Sequence, residues 1–99
     1  MLHCGEVPAE ELAQRFGTPL YVYDIRHIEA RVRRFLDAFS AADPLLAYSV
    51  KANGNLSILR RLRALGCGAD ITSRGELFRS LRAGIPAERT VFAGVGKTA

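Results

Sequence analysis

Three stretches of the chain gather residue types able to do covalent or electrostatic chemistry. Lys51 stands in Lys51-Ala52-Asn53-Gly54-Asn55 directly after an apolar run, and Asp70 lies within Gly68-Ala69-Asp70-Ile71-Thr72-Ser73. The third stretch, Gly94-Val95-Gly96-Lys97-Thr98, is rich in glycine. A lysine at the end of an apolar strand and pointing inward would lose part of its hydration. That loss lowers its pKa and makes its amine a better nucleophile. Amines of this kind form Schiff bases with carbonyl substrates or with pyridoxal phosphate (PLP). The same lysine could equally lay its stem on the strand and carry its head to solvent. Asp70 poses a similar choice. A carboxylate within a strand needs either Lys51 or a polar ligand beside it, unless it serves only as a negative charge near the next helix start.

Other patterns carry less. Gly96-Lys97-Thr98 looks like the end of a phosphate-binding P-loop, but Val91 occupies the position of that motif's first glycine, which argues against a nucleotide triphosphatase. His3 and His27 have no partner at metal-ligand spacing, so both are expected at the surface and no metal site is expected. Cys4 and Cys67 are too few for a disulfide scaffold. Cys67, between a helix-ending glycine and a strand, is expected to be a buried, unreactive thiol.

The elements that must position these groups can be read from periodicity and punctuation. Pro8 to Phe16 reads as a short helix stopped by Gly17, and Leu20 to Tyr23 as a β-rich tetrapeptide. Asp24 caps a helix from residue 25 to about 40, whose apolar face is Ile25, Ile28, Val32, Phe35, Leu36 and Phe39. The chain then alternates. Leu45 to Val50 reads as a strand, Leu56 to Leu65 as a helix closed by Gly66, and Gly68 to Thr72 as a strand. Ser73-Arg74-Gly75-Glu76 has capping-box form and opens a helix that Gly84 and Pro86 close; Thr90 to Gly94 is the last strand. Strand and helix in alternation mean parallel strands with right-handed crossovers, an α/β class. Ala47, Ser49 and Lys51 would share one strand face, as would Gly68, Asp70 and Thr72. This small, polar face favours the inside of a barrel over a sheet covered by helices on both sides.

Composition bounds the rest. The chain has 99 residues, 48% hydrophobic and 24% charged, with a formal net charge of +4. This describes a soluble globular segment; no apolar run approaches the roughly 20 residues of a membrane span. Met1 to Gly5 lacks the basic start and apolar stretch of a secretory leader, and the scarcity of cysteine fits a reducing cytoplasm. Twelve of the 14 basic residues are arginine, clustered at Arg31, Arg33, Arg34 and at Arg60, Arg61, Arg63. Both clusters fall on amphipathic helices, so they read as solvated faces and not as a nucleic-acid site. A barrel takes eight strands and about 250 residues, so the chain is expected to be the front part of a longer protein and inactive alone.

Four blocks in order resemble one family: Gly17-Thr18-Pro19-Leu20-Tyr21-Val22-Tyr23-Asp24, Tyr48-Ser49-Val50-Lys51-Ala52-Asn53, Gly68 to Leu77, and Phe92 to Thr98. They are similar to the opening of the diaminopimelate decarboxylases, within the PLP-dependent decarboxylases that share an alanine-racemase-like barrel. Ser49 stands where alanine is more usual and Arg74 where glycine is; neither change removes a reactive group. The resemblance implies the N-terminal part of a PLP-binding (β/α)8 barrel over residues 25–99. Residues 1–24, a helix and a strand, would join a second, β-rich domain. It implies decarboxylation of meso-diaminopimelate to L-lysine. Ornithine, arginine or carboxynorspermidine decarboxylation, or a catalytically silent homologue, are the alternatives. Lys51 would carry PLP as a Schiff base, Asp70 would lie beside the cofactor and the lysine, and Glu76 would keep its capping role. Groups for the PLP phosphate, the pyridine nitrogen and the substrate come later in such chains. These enzymes are homodimers acting on small amino acids, with no membrane or nucleic-acid partner.

Overall fold

The alternation read from the sequence folds as a parallel three-stranded sheet backed by helices. The computed structural model describes residues 1–98. The chain opens with a small antiparallel hairpin, β1 (His3–Cys4) paired with β2 (Val7–Pro8), and runs straight into α1 (Ala9–Phe16). Two-residue strands carry no periodicity, which is why sequence reasoning misses them.

Leu20 to Tyr23, expected as a strand, is irregular here, and all four side chains are exposed. Among the described residues no strand lies alongside it. Strand propensity expresses packing on a neighbouring strand, and without one the backbone groups stay with water. Helix α2 (Ile25–Ala38) follows. The Asp24 carboxylate accepts a hydrogen bond from the His27 amide at 3.2 Å, which satisfies one of the orphan donors at the helix start.

The α/β core comprises β3 (Ala47–Ser49), α3 (Leu56–Ala64), β4 (Gly68–Ile71), α4 (Arg74–Arg82) and β5 (Thr90–Phe92), with sheet order β3-β4-β5. All pairing is parallel; Ser49 is level with Asp70, and Asp70 with Val91. Ala69 and Ile71 face the helices and join Leu59, Leu62, Ile58, Val50, Cys67 and Ile85 in a single buried cluster. The row Ser49–Asp70–Val91 lies on the other face, where Val91 is 46% exposed. One face therefore holds the core, and the other is open and partly polar.

Both helices behind the sheet stop in the same way. Gly66 and Gly84 take left-handed φ values of 84° and 90°. The next amides, Cys67 and Ile85, donate back to Leu62 and Ser80 carbonyls at 3.0 Å. A side chain disfavours that backbone region, so glycine is the residue of choice there. Cys67 and Ile85 are then delivered into the core, 2% and 1% exposed. Burial pushes the Cys67 thiol pKa up, with Arg89 opposing, which keeps it a neutral, inert sulfur as expected.

Gly68 is required for a different reason. A Cβ there would collide with the backbone carbonyl oxygen of Arg89 and meet Leu45 Cδ1 at 3.0 Å. Gly68→Ala must therefore push β5 away from β4. A loss of about 3 kcal/mol in urea unfolding is expected. A loss below about 0.5 kcal/mol would show that the two strands part freely.

Candidate active site

The C-terminal ends of the three parallel strands meet around Thr72 and Ser73. Lys51 lies two residues beyond β3, which stops at Ser49 and not at the expected Val50 because Val50 to Ala52 tightens into a 3₁₀ turn. Val50 is buried and pins the start of that turn, whereas Lys51 is exposed. Of the two placements the sequence left open, the one with the lysine head reaching solvent is seen among the described residues. The turn breaks the alternation, and the amine borders an open depression of about 530 Å³ shared with Gly54, Thr72, Ser73, Glu76 and Arg79. Lys97 borders a second depression that also includes Thr72 and Ser73, with its Nζ 5.4 Å from the Phe92 ring centre.

Side chains from two elements hold the segment that carries Lys51. The Tyr48 hydroxyl donates to the Asn53 carbonyl at 3.0 Å, and Arg79 Nη1 donates to the Gly54 carbonyl at 3.1 Å. Within the segment, Asn53 Oδ1 accepts from the Asn55 amide, and Asn55 Oδ1 accepts from Ser57 to cap α3. Burial raises the Tyr48 pKa, with nearby Tyr23 adding to it, so the phenol stays protonated and able to donate. Neither Tyr48 nor Arg79 carries a sequence signal for this task. Tyr48 lies on the core face of β3, level with Ala69, and reads as a packing residue, and Arg79 reads as one more arginine on a helix.

Asp70 is placed differently. Lys51 does not accompany it; among the described residues the side-chain ion pairs are Arg26–Glu6 and Arg61–Glu29. Among the described residues Asp70 Oδ1 is buried and has no hydrogen-bond partner. A buried acceptor without a donor is costly, about 1–3 kcal/mol and more when charged, and unusual enough to need a reason.

Glu76 is committed elsewhere. The Ser73 hydroxyl accepts from the Glu76 amide at 3.2 Å, one half of the expected capping box. The return half shifts by one residue: Glu76 Oε2 accepts from the Thr72 amide at 2.7 Å and the Thr72 hydroxyl at 2.6 Å. These Thr72 bonds hold the Glu76 carboxyl below the usual carboxylate range. His3 and His27 are exposed, and among the described residues no cluster of three or more His, Cys, Asp or Glu could hold a metal ion. Nor is any described helix long and apolar enough to cross a membrane.

Comparison with known proteins places this arrangement. The sequence pattern of the family described as "Pyridoxal-dependent decarboxylase, pyridoxal binding domain" matches residues 25–99. The chain belongs to this family. It is 50% identical over 97 residues to the diaminopimelate decarboxylase of Neisseria meningitidis serogroup B, covering 98% of this chain and 23% of the relative. The crystal structure of an Aquifex aeolicus protein superposes with a TM-score of 0.87 at 53% identity over 93% of this chain and 23% of the other. Diaminopimelate decarboxylase from M. jannaschii, solved with L-lysine, gives 0.88 at 42% identity with the same coverage. The chain thus spans about a quarter of the length of these relatives. At the strand ends of this pyridoxal-binding domain stand the exposed Lys51 and, among the described residues, a carboxylate oxygen of Asp70 without a donor.

Glu76 offers a direct test of the local electrostatics. Its depressed native pKa favours the folded state above the ordinary carboxylate range, and that benefit is lost as pH falls through the native value. Glu76→Gln should therefore flatten the acid limb of the stability–pH curve. Superimposable acid limbs would show that the Thr72 bonds contribute nothing.

Proposed function

We propose that this chain is the cofactor-bearing part of a decarboxylase that converts meso-diaminopimelate to L-lysine and CO2. The observation that carries the reading is 50% identity across nearly the whole chain to a protein of that name. In this reading residues 25–99 are the first βα units of a (β/α)8 barrel, whose interior is the open face bearing Asp70. Residues 1–24 lead into a second, β-rich domain, where Leu20–Tyr23 would find strand partners. The active form is a cytoplasmic homodimer acting on a small amino acid.

Lys51 would hold pyridoxal phosphate covalently through Nζ, and Asp70 would accept a hydrogen bond or offset positive charge beside it. The cofactor, when bound, supplies an electron sink for the electron pair left on the α-carbon as CO2 departs. The protein's share is to present an amine and to keep it accessible. Lys51 Nζ must shed a proton before it can attack an aldehyde. Arginines cannot compete for the aldehyde, because the guanidinium does not deprotonate. Glu76 is a weakened proton acceptor, since the two Thr72 bonds to Oε2 hold its carboxyl below the usual carboxylate range.

Borohydride reduction of the full-length protein loaded with pyridoxal phosphate, followed by peptide mapping, should place the label on Lys51. Label on Lys97 with Lys51 unmodified would overturn the assignment. Asp70→Asn should leave the fold intact while lowering turnover about tenfold or more, the scale of one charged hydrogen bond. It should also alter the absorbance of the bound cofactor. Unchanged kinetics and spectrum would make Asp70 purely structural.

A further inference from the structure

Gly54 presents a small anomaly. Its φ does not lie in the left-handed region, so its backbone makes no demand for glycine. A Cβ at residue 54 would lie 3.1 Å from Arg79 Cδ and 3.6 Å from Arg79 Nε, so the exposed arginine stem would have to give by a few tenths of an ångström. The arginine stem crosses the face of Gly54, and its Nη1 donates to the carbonyl of that same residue at 3.1 Å. Absence of a side chain on one partner and length of side chain on the other are matched.

We infer that Arg79 is a positioning residue for Lys51, clamping the Gly54 carbonyl from α4 and so fixing the turn that presents the amine. The inference rests on the reading of Lys51 as the cofactor-bearing lysine. Three holds act on the segment in succession. Val50 is sunk in the core, Tyr48 takes the Asn53 carbonyl from β3, and Arg79 takes the Gly54 carbonyl from α4. Lys51 and Ala52 are the exposed residues strung between them. Without Arg79 the Gly54 carbonyl loses its clamp from α4, the far end of the turn keeps only Tyr48 and the local Asn53 and Asn55 bonds, and the amine samples more directions. Arginine suits the task because it brings a fixed fork of donors next to the lysine without bringing a second reactive amine. Because Arg79 is itself exposed, its bond adds little to global stability, so its effect is confined to the turn.

The test uses the full-length protein with Arg79→Met, which keeps an aliphatic stem, and Arg79→Lys, which keeps one donor. Two quantities are read: amide exchange of the 51–55 segment before pyridoxal phosphate is added, and the rate at which added pyridoxal phosphate becomes borohydride-trappable on Lys51. Arg79→Met should speed exchange in that segment and slow trapping about tenfold, the worth of one charged hydrogen bond. Its melting temperature should move by less than about 2 °C. Arg79→Lys should recover most of both effects. Gly54→Ala, which pushes the arginine stem aside while leaving its charge, should slow trapping in the same direction. Wild-type exchange and trapping in Arg79→Met, or wild-type trapping in Gly54→Ala, would overturn the clamp while leaving Lys51 in place. Absence of label on Lys51 in the unaltered protein would overturn the reading of Lys51, and this inference with it.

Discussion

Strand β4 is held along both edges, and the geometry of everything else follows from how closely its neighbours approach. On one side Ala47, Tyr48 and Ser49 lie level with Gly68, Ala69 and Asp70; on the other, Ala69 to Ile71 lie level with Thr90 to Phe92. The bare backbone of Gly68 permits the approach of Arg89 at the entrance to β5. Parallel strands set in this register must end together. Lys51, Thr72 and the turn beyond Phe92 therefore emerge on one side of the sheet, with no contact among their side chains needed to bring them there. A glycine at the far end of the sheet thus governs which groups emerge beside one another.

Two carboxylates on neighbouring turns of chain show how differently that frame treats like chemistry. Glu76, at the start of α4, receives hydrogen bonds from the Thr72 amide and hydroxyl and is content as an anion. Asp70, two residues before Thr72, keeps a buried oxygen with no donor among the described residues. The first is a structural group that reinforces a helix start. The second is a polar atom that this part of the fold encloses without satisfying.

The alternating elements were legible because local rules agreed with one another: Asp24 and Ser73 cap helices, Gly66 and Gly84 stop them, and apolar residues recur on one face. Lys51 and Asp70 stood out as lone charges in apolar surroundings. What could not be read was set by contacts distant in sequence. The 3₁₀ turn that moves Lys51 off the strand coincides with holds from Tyr48 and Arg79, the latter 25 residues away from its acceptor. Glu76 bonds one residue earlier than the capping pattern supposes, because the Thr72 hydroxyl offers a second donor beside the amide. Leu20–Tyr23 has the side chains of a strand and no strand beside it among the described residues, and no property of four residues can reveal whether a neighbour is there.

The matching ends of α3 and α4 act as a gauge. Each helix is terminated by a glycine in the same backbone conformation, and each hands the next residue to the interior with the same hydrogen bond. The paths then differ, since β4 begins directly after Cys67 whereas a 3₁₀ turn, Ala87–Arg89, separates Ile85 from β5. Changes to the exposed faces of either helix leave the corner intact, whereas a side chain at either glycine would strain it. Surface residues are thus free to drift while two glycines keep Cys67 and Ile85 turned into the core.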